Sequence, residues 1–136
     1  MASKVIRKII STTKAAQPVG PYNQAIVADR TVYVAGQVGI DPSSGKLVEG
    51  GIEAELTQAL TNLKNVLEAA GSGLDKVVKT TVLLSDIKDM VTVNKIYPQF
   101  FTTKHPVRTA YQAGALPVGA VVEIEAFGIV GEIEDQ

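Results

Sequence analysis

The first stretch of alternating apolar and polar residues, Val5 to Ile10, predicts a short strand. A polar turn ending at Gly20-Pro21 follows, and Tyr22 to Ala28 alternates again. The Asp29-Arg30 turn joins it to Thr31-Val32-Tyr33-Val34-Ala35, a run rich in β-branched and aromatic residues, so these two strands form a hairpin. Gly36 to Gly51 holds Asp41-Pro42, Ser43-Ser44-Gly45 and Gly50-Gly51 and reads as a loop with several turns. From Ile52 the period changes: Leu56, Leu60, Leu63, Val66, Leu67 and Ala70 recur on one helix face, and Gly71 supplies the stop.

Val77 to Leu84 then reads as a strand buried on both faces, because valine and leucine occupy positions of either parity. A second helix should start near Asp86, whose carboxylate can cap it, and reach about Thr103. Strands at Val107 to Gln112 and Ala120 to Ile129 complete the order. The pattern predicts an α+β fold of one domain, 1–136, with a mixed sheet of about six strands and two helices packed on one face.

Composition removes whole classes of chemistry. The 136 residues contain no cysteine, no tryptophan and one histidine, His105, so a thiolate nucleophile, a disulfide framework and a Cys/His metal site are excluded. No metal and no cofactor is expected. Thirteen basic against fourteen acidic residues argue against a nucleic-acid partner, although Lys4, Arg7 and Lys8 form a local basic cluster before the first acid, Asp29. That acid-free start reads either as a mitochondrial transit segment or as the first strand, with the cytoplasm as the default compartment. Apolar runs are too short for a membrane span.

Two features place polar groups where apolar ones are expected. In the last strand Glu123 and Glu125 share a face with Val121 and Phe127, either as a solvated flank or as part of a site. A hairpin about the Gly114 to Gly119 loop would set Arg108 across from Glu123 or Glu125 on the same face. Such a pair is a plain ion pair on a surface; in a cleft the guanidinium fork can hold a carboxylate while the glutamate takes a proton from water. In the second helix Asn94 interrupts an apolar stripe of Ile87, Met90, Val91, Tyr97 and Phe101, as a structural hydrogen-bonding group or a ligand contact. Pro98 should kink that helix or divide it. Ala35-Gly36-Gln37-Val38-Gly39 is no phosphate loop, and its glycines suit a close backbone approach.

Six ordered segments, Gly20-Pro21-Tyr22-Asn23-Gln24-Ala25, Val34-Ala35-Gly36-Gln37-Val38, Val78-Lys79-Thr80-Thr81-Val82, Val93-Asn94-Lys95-Ile96-Tyr97, Pro106-Val107-Arg108-Thr109-Ala110 and Val122-Glu123-Ile124-Glu125-Ala126, closely resemble the Rid/YjgF family, and specifically its reactive intermediate deaminase A branch in animals. The resemblance implies a chorismate-mutase-like fold, a homotrimer with sites between subunits, and hydrolysis of 2-imino acids such as 2-iminobutanoate and 2-iminopropanoate to 2-oxo acids and ammonia. It implies that Arg108 binds the carboxylate and that Glu123 positions or activates water. Tyr22, Gly36, Met90, Asn94 and Ala110 match groups around the substrate, with Tyr22 coming from a neighbouring chain. Ala35, Met90 and Pro98 depart from the family pattern. Members of the family are also described as endoribonucleases, translation inhibitors and chaperone-like holdases, and those remain the alternative readings.

Overall fold

The computed structural model of the protein describes residues 3–136. Six strands form one mixed sheet: β1 (Arg7–Ile10), β2 (Ala25–Ala28), β3 (Thr31–Gln37), β6 (Val77–Leu84), β7 (Val107–Gln112) and β8 (Val122–Ile129), in the order β1-β2-β3-β8-β6-β7. The turn-rich segment after β3 contains a small hairpin of β4 (Ile40–Asp41) and β5 (Lys46–Leu47). Two helices, α1 (Gly51–Ala69) and α2 (Met90–Phe100), lie on one face of the sheet. The expected α+β architecture is therefore present, with element ends moved by a few residues.

Alternation decides which side chains meet the helices. Val32 and Val34 on β3, Val82 and Leu84 on β6, and Val122, Ile124 and Ala126 on β8 point into the helix layer and are buried. They meet Leu56, Leu60, Leu63, Val66 and Leu67, the apolar stripe that the spacing predicted for α1.

The connection from β6 to β7 changes the expected picture. Adjacent parallel strands need a crossover, and α2 supplies it, so β7 pairs with β6 in parallel register, with Thr80 beside Arg108 and Leu83 beside Tyr111. Residues 113–121 then pass the end of β6, where Ala113 N–H donates to Leu84 O and Ser85 N–H donates to Val121 O. The chain lands on the far side as β8, antiparallel to both β3 and β6. The predicted β7–β8 hairpin does not form, because β6 occupies the place between them.

Two further expectations need correction. β6 is covered on one face only: Val78 is 45% exposed, and Lys79 is exposed as well. A row of residues crosses this open face strand by strand, Ile9, Ile26, Tyr33, Phe127, Lys79 and Val107, with Tyr33 and Phe127 in edge contact at 5.3 Å between ring centres. The second helix is also divided differently. Asp86 does cap, accepting from Lys88 N–H, but it caps a short 3-10 turn at Ile87–Asp89, and α2 proper runs unbroken through Pro98 to Phe100. Its buried side carries Val93 and Tyr97, whereas Val91 and Asn94 face outward, as does Ile87 in the turn before it.

Leu63 has no exposed surface, and truncating such a leucine costs its transfer energy and leaves a cavity. Leu63→Ala is expected to lower unfolding free energy by about 2–5 kcal/mol in urea titration at fixed protein concentration, with the slope unchanged.

Candidate active site

The candidate residues fall into two groups on opposite faces of the sheet. Arg108 stands in register with Thr80 and, through it, with Ala126, all on the helix side. Glu123 is paired with Leu83, three positions along β6, and an odd offset turns a side chain to the other face. The expected placement of Arg108 and Glu123 side by side is therefore overturned within one chain, because the intervening β6 separates them and their parity differs.

Arg108 is held by the elements around the parallel edge. Its guanidinium carbon lies 5.0 Å from the centre of the Tyr97 ring, and Tyr97 Oη shares a buried 2.8 Å hydrogen bond with Thr80 Oγ1. Thr80 is the strand neighbour of Arg108, so strand, ring and guanidinium brace one another. Burial pushes the Tyr97 phenol above its ordinary pKa, against the opposing pull of the Thr80 bond and the Arg108 charge, so the ring stays a neutral platform. Among the described residues no carboxylate lies within 4.0 Å of Arg108. Its fork is left open to an external anion, beside a cavity of about 250 Å³ lined by Asn94, Tyr97, Pro98, His105, Pro106 and Arg108.

Asn94 thus enters this site as an exposed rim residue, not as a buried amide. Tyr97, which the spacing marks simply as core, and His105, which nothing in its local sequence singled out, belong to the same cavity.

The second group surrounds Glu123. A cavity of about 150 Å³ is walled by Tyr22, Gln24, Gly36, Gln37 and Val118 with Glu123 on its side. The β3–β8 register shifts between Val34 and Gln37, and a Cβ at Gly36 would sit 2.8 Å from the Glu123 carboxylate carbon. Glycine is therefore required there for the carboxylate to lie over the backbone. Burial chiefly, and the charge of Glu125 next, raise the Glu123 pKa above the ordinary glutamate value. A carboxylate so placed takes up a proton more readily than an exposed one, which suits a general base.

The other two candidates lie near these groups without lining them. Ala110 is on the helix face one pleat beyond Arg108, and Met90 packs against the core; neither borders the two cavities. No group of three or more His, Asp or Glu side chains among the described residues is arranged to hold a metal ion. No helix among them is long and apolar enough to cross a membrane.

Comparison with known proteins bears on this arrangement. The chain is 57% identical over 129 residues to the mouse protein named 2-iminobutanoate/2-iminopropanoate deaminase, covering 95% of this chain and 96% of that protein. It is 54% identical over 131 residues to the human protein of the same name, covering 96% of each. The crystal structure of RidA from an Antarctic Psychrobacter superposes with a TM-score of 0.88 at 41% identity, over 90% of this chain and 99% of that one. The profile described as Endoribonuclease L-PSP matches residues 12–130. On a match of that extent, together with identities above one half to full-length relatives, the chain belongs to the endoribonuclease L-PSP family, the Rid/YjgF group whose six motifs it carries.

Proposed function

We propose that the protein is a deaminase that hydrolyses 2-imino acids, 2-iminobutanoate and 2-iminopropanoate among them, to 2-oxo acids and ammonia. The observation that carries this reading is an arginine with no carboxylate partner among the described residues, fixed on an aromatic ring, together with a separate half-buried glutamate of raised pKa. The names of the mouse and human relatives support it.

The chemistry asks little of the protein. An iminium carbon is already electrophilic, so positioning and proton transfer suffice. Arg108 holds the substrate carboxylate through two parallel hydrogen bonds. Water adds to the iminium carbon as Glu123 takes its proton, giving a carbinolamine. Return of that proton to nitrogen makes ammonia the leaving group. The C–N bond breaks as the carbinolamine hydroxyl gives its proton to Glu123, and the 2-oxo acid and ammonia leave, ammonia taking up that proton as ammonium.

Because Arg108 and Glu123 face opposite sides of one sheet, the reading includes assembly. The functional unit is a homotrimer in which Arg108 and Asn94 of one protomer meet Glu123, Gly36 and Tyr22 of its neighbour. Tyr22 and Glu123 share one cavity in the chain, so both arrive from the same neighbour. The exposed row from Ile9 to Val107 supplies an apolar face for such packing, with Ile9 62% and Val107 66% exposed before it is covered.

Light scattering is expected to give three copies per particle. Arg108→Ala should abolish the accelerated decay of iminobutanoate generated in place by a dehydratase and followed by semicarbazide trapping. Glu123→Gln should lower turnover by about 10²–10⁴-fold while retaining carboxylate binding. The two inactive variants, unfolded and reassembled together at equal amounts, should recover activity in about a quarter of their sites, since random cyclic assembly pairs an intact arginine with an intact glutamate that often. Recovery of none would place both residues of a site in one chain. RNA cleavage that survives Arg108→Ala would instead favour the ribonuclease reading.

The pH dependence has a definite sign. Protonation removes Glu123 as a base, so turnover should fall on the acid side, with burial and Glu125 raising that limb and the neighbour's Arg108 lowering it. Glu125→Gln removes the second cause of that rise, so the limb should move to lower pH in the variant.

A further inference from the structure

The buried polar side chains of the described residues are Gln24, Gln37, Glu55, Asn62 and Thr80. Thr80 braces the Tyr97 platform under Arg108, and Gln24 and Gln37 line the Glu123 cavity itself. Glu55 and Asn62 do neither. They sit two turns apart on the buried stripe of α1, 4% and 0% exposed, where the periodicity calls for apolar residues. Burying a carboxylate and an amide is costly unless both are bonded, so their partners identify their task.

Those partners are the two segments that wall the Glu123 cavity. Val121 N–H donates to Glu55 Oε1 at 2.8 Å, which fixes the chain between the Pro117–Val118 wall and Glu123 on β8. Asn62 Nδ2 donates to Ile40 O at 2.8 Å and to Val38 O at 3.3 Å, and both of those residues line the same cavity. Gln58 Nε2 donates to Asn62 Oδ1 at 2.8 Å and sets the orientation of that amide. At Gly39, between Val38 and Ile40, an added Cβ would stand 2.7 Å from the Glu55 backbone, so this segment rests directly on α1. The segment that Glu55 anchors also carries unfavourable backbone, since Val118 has φ 54°. A segment in that region keeps its shape only when its surroundings hold it.

We propose that Glu55 and Asn62 are positioning residues of the deaminase site, which act through the backbone of 117–121 and 38–40 to hold the walls around Glu123. The proposal rests on the deaminase reading. Glu55 contributes through its acceptor oxygen, and its negative charge is secondary. Asn62 contributes through its two donated bonds.

The test compares Glu55→Gln, which keeps an acceptor, with Glu55→Ala and Glu55→Met, which lose it, Met also keeping the volume. Turnover of iminobutanoate is measured with binding of 2-oxobutanoate, whose carboxylate reports Arg108, and with hydrogen exchange of the Val121 amide. Ala and Met should each lose at least about tenfold in turnover, keep 2-oxobutanoate affinity within about twofold, and expose the Val121 amide to exchange; Gln should restore turnover to within about twofold of wild type. Folded Ala or Met variants with wild-type turnover would overturn the proposal, as would a Gln variant as slow as Ala. Failure of both Ala and Met to fold would overturn it too, by making Glu55 a determinant of the fold. A wild-type protein inactive on the imine defeats the deaminase reading instead, and the Val121 exchange pattern then still reports whether the anchor exists.

Discussion

A helix that returns the chain to a parallel neighbouring strand leaves no room for a hairpin on that side, and this constraint orders the rest of the molecule. α2 carries the chain from β6 to β7, and β8 joins the sheet on the far side of β6, which leaves β7 as the edge strand. The 113–121 connection exists to make that passage, and it becomes a wall of the Glu123 cavity. The same geometry puts Arg108 on an edge strand beside α2, where Tyr97 can lie under its guanidinium.

Keeping Arg108 and Glu123 apart within one chain has an electrostatic effect. An adjacent guanidinium would favour the ionised carboxylate and would itself be neutralised as an anion receptor. Within one chain burial and Glu125 determine the protonation of Glu123, while Arg108 keeps its donors free; in the proposed trimer the neighbour's Arg108 adds an opposing pull on the Glu123 carboxyl. Before the proposed assembly each half is poised separately, one as a cationic fork and the other as a reluctant carboxylate.

Much of this was legible in the sequence because it depends on local periodicity. The α1 stripe, the alternation of β8 and the turn at Asp29-Arg30 each obey a short-range rule, and each appears where its residues predict it. The partner of β7 does not follow from such a rule. Short spacing to β8 favoured a hairpin, whereas the strand-helix-strand order of β6, α2 and β7 was the better signal, since that order is how parallel neighbours are joined. Asn94 was misplaced for a related reason: the stripe through Val91 and Asn94 lies next to the one through Val93 and Tyr97, and only the packing of α2 selects between them. Tyr97, His105 and Thr80 come together through tertiary contact alone. The grouping of Glu55 with Asn62 is a different case, because polar residues seven apart on an apolar stripe are visible in the sequence and only their partners are not.

In the proposed trimer the open face of the sheet links catalysis to abundance. A site divided between protomers exists only while they are associated, and mass action removes it on dilution even though every chain stays folded. Specific activity would then fall with concentration, while the apolar row from Ile9 to Val107 returns to solvent. On that view Lys79, the one charge within the row, serves the dissociated chain: an ammonium amid the apolar surface disfavours indiscriminate sticking during the interval before the correct neighbours are found.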